Sequence, residues 1–159
     1  MSEADAAASA SDFQIEGSTL TKYRGSDERV TIPDTVEVVG ESAFENNQKV
    51  QFVVVPKSVK RLDAYVFWGC NNLEEVVLGK GLTSVDEYAF SGCTGLKQIT
   101  IPENIQSIDA QAFAGCVNLT DIYIPATVTG IAEDAFLNCD NVTIHADEGS
   151  VAAQFAQKL

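Results

Sequence analysis

Four cysteines, three aspartates and one histidine are the residues whose types and spacing bear on chemistry. Cys70, Cys93, Cys116 and Cys139 are each 23 residues apart. Thiols at one fixed step offer a disulfide ladder, a thiolate metal site or a column of small buried hydrophobes. The sequence favours the column: each Cys sits among apolar neighbours, stacked side chains would point the same way, and no C-x-x-C pair is present to clasp zinc. A disulfide or a metal site stays open as the alternative. Asp63, Asp86 and Asp109 keep the same step. Carboxylates about 5 Å apart repel and would invite a cation such as calcium. The simpler reading is that each caps a short helical turn in its own segment by accepting backbone N–H bonds. His145 is the single His and has no Ser or Cys partner that the sequence reveals, so it reads as a solvated strand residue. With no Gly-rich phosphate loop and no carboxylate pair held by a cleft, the expectation is no enzyme, no cofactor and no metal.

The step of 23 is not confined to these residues. Phe44, Phe67, Phe90, Phe113 and Phe136 follow it, as do Leu73, Leu96 and Leu119, with Val50 and Val142 at the ends. Pro33, Pro56, Pro102 and Pro125 share one register, with Gly79 in the vacant slot. A period in the twenties is the signature of a solenoid, in which one coil of chain stacks on the next.

Within one period, Leu96 to Leu119, Ile99 and Ile101 lie two apart and predict a short strand with one face inward. Pro102 ends it, lacking an N–H for a ladder. Residues 102–108 predict an extended return with Ile105 and Ile108 inward. Asp109 to Cys116 predicts one helical turn, capped by Asp109 and ended by Gly115. Strands of successive coils are expected to form one parallel sheet over an interior of Leu, Ile, Val, Phe, Ala and Cys columns.

The ends differ. Residues 1–12 are an Ala/Ser/acidic segment, expected to be disordered and lacking the n- and h-regions of a signal peptide. Residues 13–23 alternate apolar and polar around Glu16-Gly17, a hairpin signal, and 13–29 form a cap placed to cover the first coil and its strand edge. The repeats run over 30–145. In 146–159, Ser150 is a good N-cap and Val151, Phe155 and Leu159 step by four, which predicts a helix closing the last coil. The domain as a whole spans 13–159. Capped ends predict a monomer.

The net charge of −13 disfavours nucleic acid and anionic lipid, and no apolar run approaches the roughly 18 residues needed for membrane insertion.

The recurring pattern Ile101-Pro102, Ile105, Ile108, Ala112-Phe113, Cys116, Leu119 and Ile122 resembles the BspA-type bacterial leucine-rich repeat. The resemblance covers roughly 13–159 and implies a right-handed leucine-rich-repeat solenoid, β-dominated α/β, in a bacterial protein. It also implies a cell-surface or secreted module associated with adhesion and protein binding, and it brings no catalytic residues. In such solenoids the sheet lines the concave side. Its outward columns here read Arg29, Phe52, Glu75, Gln98, Asp121 and Thr31, Val54, Val77, Thr100, Tyr123. Phe52, Val54, Val77 and Tyr123 are apolar where solvent favours polar residues, which marks a candidate protein-binding surface. β-branched residues also suit any strand, so this patch has a purely structural reading as well. A second candidate protein-binding patch joins Tyr65, Tyr88 and Trp68, aromatics of the kind that dominate interfaces; mutual packing that needs no partner is the simpler reading. Lys57, Lys60, Arg61 and Lys80 read as charge balance on a solvated face. The leading function is a non-catalytic binding or adhesion module that engages a protein, including a host extracellular protein. The alternative is a spacer or display domain of a larger surface protein.

Overall fold

The computed structural model describes residues 10–159. A 3-10 turn, Ala10–Asp12, leads into the antiparallel hairpin β1 (Phe13–Glu16) and β2 (Thr19–Tyr23). Most of the segment expected to be disordered lies outside the described residues; Ala10–Asp12 at its end forms the 3-10 turn.

Five coils follow. Each opens with a strand on one side: β3 (Arg29–Thr31), β5 (Phe52–Val55), β7 (Glu75–Leu78), β9 (Gln98–Thr100) and β11 (Asp121–Tyr123). Each returns through a two-residue strand on a second side: β4 (Val38–Val39), β6 (Arg61–Leu62), β8 (Ser84–Val85), β10 (Ser107–Ile108) and β12 (Gly130–Ile131). The last rung, β13 (Thr143–His145), leads to helix α1 (Val151–Ala156).

The expected single sheet is instead four short sheets, two on each of two sides of the coil. The opening strands pair in the orders β3-β5-β7 and β9-β11-β13; the return strands pair as β1-β2-β4-β6 and β8-β10-β12. Both interruptions flank the third coil, where Gly79 replaces proline. A Cβ on Gly79 would lie 2.6 Å from the Pro56 backbone, and one on Gly81 would collide with the Lys57 carbonyl oxygen. The third coil leans onto the second so closely that neither position admits a side chain.

The third side is a corner rather than the expected helical turn. Its N–H groups alternate between two destinations. Ala112, Ala114 and Cys116 donate within their own coil, to Asp109, Gln111 and Phe113, while Phe113 and Gly115 donate to Ala135 and Leu137 of the next coil. A helix would keep all of these bonds internal. Sharing them forces left-handed backbone at Gln111 (φ 51°) and Gly115 (φ 73°), as at the equivalent Tyr65, Tyr88, Gly69 and Gly92. The aspartates do not act as caps of such turns: Asp63 receives Arg61 Nε, and Asp86 receives Ser84 Oγ at 2.7 Å.

Inside, the five phenylalanines stand one above another with ring centroids 5.1–5.4 Å apart. Tyr23 and Phe13 of the hairpin continue the stack below, and Phe155 of α1 closes it above at 6.0 Å. The cysteines are free and buried. Each thiol donates to the phenylalanine carbonyl one coil down, from Cys70 to Phe44 at 3.1 Å through Cys139 to Phe113 at 2.8 Å. Burial pushes the Cys70 thiol up to about 12 and raises Cys93 as well, which keeps both protonated donors. In the first coil Asn47 stands in for cysteine and donates to Gly25.

The caps depart from expectation in two details. The hairpin extends the return-strand side through β2–β4 pairing and leaves β3 as the bottom edge of the other sheet. In α1, Ser150 accepts from Ala153 N–H as expected, but the helix spans only six residues. It buries Ala152 and Phe155, whereas Val151 and Leu159 are exposed, because a short helix on a small end presents one turn to the core.

Phe90→Ala, in the middle of the stack, is expected to lose about 3–5 kcal/mol in denaturant unfolding. Gly81→Ala is expected to lose about 1–3 kcal/mol, since its added methyl meets backbone that cannot move aside.

Candidate functional site

The side formed by the opening strands carries a groove of about 1000 Å³ running across β7, β9, β11 and β13. Strand alternation builds it: Val76, Ile99, Ile122 and Ile144 turn inward, so Val77, Thr100, Tyr123 and His145 form the floor. Val77 is 45% exposed and Tyr123 43%. Glu75, Glu103 and Asp147 line the groove together with a single cation, Lys80.

His145 is a strand residue, but it is engaged rather than merely solvated. Its ring stacks on Tyr123 at 4.4 Å, and Nε2 lies 2.8 Å from Asp121 Oδ1. This bond from His145, with a second from Thr120 Oγ1, holds the Asp121 carboxyl below its usual range. The sequence contained the signal. A full repeat would set Ala146 beside Tyr123; the last repeat is one residue short, so His145 takes that place in the ladder.

The candidate residues divide into three groups. Val77 and Tyr123 share the groove. Phe52 and Val54 lie on the same side next to it, both half-buried; Val54 pairs with Val77, and the Arg29 guanidinium sits 4.5 Å above the Phe52 ring. Tyr65, Tyr88 and Trp68 are on the corner side. There Tyr65 and Tyr88 stack with parallel rings at 4.8 Å, and Trp68 is 37% exposed.

The aspartate column is a site of repulsion. Burial raises the Asp86 carboxyl, and the charges of Asp109 and Asp63 raise it further against the opposing bond from Ser84.

Coils of 23 residues with in-register columns, strands on two sides and a hydrogen-bonded corner define a leucine-rich-repeat solenoid. The family model for the BspA type leucine rich repeat region matches residues 18–143 in six copies. The chain belongs to the BspA-type leucine-rich-repeat family. Similar solved structures include a leucine rich cell surface protein from Faecalibacterium prausnitzii, at 33% identity and TM-score 0.82, over 87% of this chain and 37% of that one. A Treponema pallidum leucine rich repeat protein matches at 27% identity and TM-score 0.82, over 86% of this chain and 70% of that one. A Bacteroides ovatus leucine-rich repeat protein matches at 30% identity and TM-score 0.69, over 74% and 33%. This chain therefore spans little more than a third of the Faecalibacterium protein's length. Among curated proteins, none matches the sequence. No helix among the described residues is long and apolar enough to cross a membrane.

Asp86 binds its proton more tightly folded than unfolded, so its ionisation at neutral pH opposes folding. Asp86→Asn is expected to raise Tm at neutral pH. The gain should shrink as pH falls and the native carboxyl takes up its proton; thermal unfolding of both forms at neutral and mildly acidic pH checks this.

Proposed function

We propose that this chain is a non-catalytic protein-binding module of a bacterial surface or secreted protein, and that the groove on the opening-strand side is where it engages its partner. The observation that carries the reading is an apolar and aromatic floor, Val77 and Tyr123, exposed between charged walls where two parallel sheets meet. Phe52 and Val54 extend the surface at its margin. A stacked solenoid holds its side chains in place before docking, so little conformational freedom is lost on binding. Walls with three carboxylates and one lysine suit a partner that sets an apolar residue among basic ones. Leucine-rich-repeat domains generally bind proteins, and the Faecalibacterium relative is described as a cell surface protein.

That relative is far longer than this chain, which favours a second reading, a spacer or display unit within a larger surface protein.

Val77→Glu combined with Tyr123→Ala separates the two. Pull-down against purified extracellular-matrix and cell-surface proteins is expected to lose capture with the double variant, while Tm shifts by no more than about 4 °C. Capture that survives the double change would move the binding surface elsewhere; no capture by either form would favour the spacer.

A further inference from the structure

The corner side carries a second concavity, of about 540 Å³. Its shape comes from one column of the repeat. The outward position just before the corner glycine is Trp68 in the second coil, Ser91 in the third, Ala114 in the fourth and Leu137 in the fifth. Trp68 and Leu137 stand 37% and 46% exposed, while Ala114 is only 7% exposed. Large, small, small, large makes a trough between two walls, spanning three coil steps of about 5 Å each, roughly 15 Å in all.

The lining sets this trough apart from the rest of the molecule. In a chain with 33 charged side chains (10 + 23), it holds no formal charge. Its polar groups are amides and hydroxyls, among them Asn46, Ser91, Thr94, Gln111 and Asn138. Two of these are held by bonds of their own: Gln111 Nε2 donates to Asp134 at 3.3 Å, and Thr94 Oγ1 donates to the Asn71 backbone carbonyl at 3.5 Å.

The geometry points to this trough as a binding site for a short neutral oligosaccharide, with Trp68 as the stacking platform at one end. An indole face accepts the C–H side of a pyranose, since the electron-rich ring meets weakly positive hydrogens. Fixed amides and hydroxyls are the partners sugar hydroxyls take, and a pocket of this volume fits a small ligand. An anionic ligand would lose its hydration here and find no opposite charge in return. The site is independent of the groove across β7–β13 and lies on a different side of the coil.

The chain's single tryptophan is its own reporter. The full chain is titrated with cellotriose, maltotriose, mannotriose and chitotriose, with a sialylated trisaccharide as the charged control, following Trp68 emission and calorimetric heat. At least one neutral trisaccharide is expected to shift the emission and bind with Kd at or below ~1 mM, the sialylated one more weakly. Ser91→Leu, which fills the trough, and Trp68→Ala, followed by heat alone, are each expected to weaken binding by roughly tenfold or more while the chain stays folded by circular dichroism at the assay temperature. Val77→Glu with Tyr123→Ala is expected to leave sugar binding intact, so this site and the groove stand or fall separately. No response to any neutral sugar, or binding that persists in both trough variants, would overturn the assignment.

Discussion

A coil of this protein cannot satisfy itself. Its strands are two to four residues long, its interior is one side chain deep, and half of its corner N–H groups have their partners in the next coil. Every element of the fold answers that one constraint. The phenylalanine stack, the thiol column and both parallel ladders are ways in which a coil completes its neighbour. Stability in such a chain is close to a sum of nearest-neighbour terms, and the two ends must be sealed by something that is not a repeat. The hairpin and α1 do this by inserting an aromatic ring into the same stack, Tyr23 below and Phe155 above.

The third coil tests this arrangement. Both strand ladders are interrupted beside it, yet the corner bonds run unbroken across its two interfaces, three on each. Tyr65, Phe67 and Gly69 reach up to it, and Tyr88, Phe90 and Gly92 reach from it to the fourth coil. Phe67, Phe90 and Phe113 stay stacked at 5.2 Å throughout. Side-chain columns and corner bonds hold the stack where strand pairing lapses, and it is at this lapse, between β7 and β9, that the groove opens.

Much of this was legible in the sequence because a repeat announces itself. The 23-residue step of phenylalanine and cysteine predicts which side chains share a column, and the structure stacks them so. The corner was misread because Asp109-x-x-x-Phe113-x-Gly115 has helical composition; what decides its conformation is competition from the carbonyls of the coil above, which a single repeat cannot display. Gly79 looked like a missing proline and turned out to be a point of close backbone approach, a relation between coils. The partnership of His145 with Tyr123 and Asp121 depends on a one-residue deletion in the last repeat. The candidate residues could be named from outward strand positions, but their separation into a groove and a trough depends on which neighbours are small.

The corner bonds have one further consequence. Donors at Phe44, Phe67, Phe90 and Phe113 all face the carboxyl-terminal end, and their acceptors at Val66, Ala89, Ala112 and Ala135 all face back. Peptide groups aligned head to tail add their moments, as they do along an α-helix. The molecule thus has an electrical axis running down one edge, perpendicular to its strands, with the positive pole at the final coil, the coil that carries Glu133, Asp134 and Asp140.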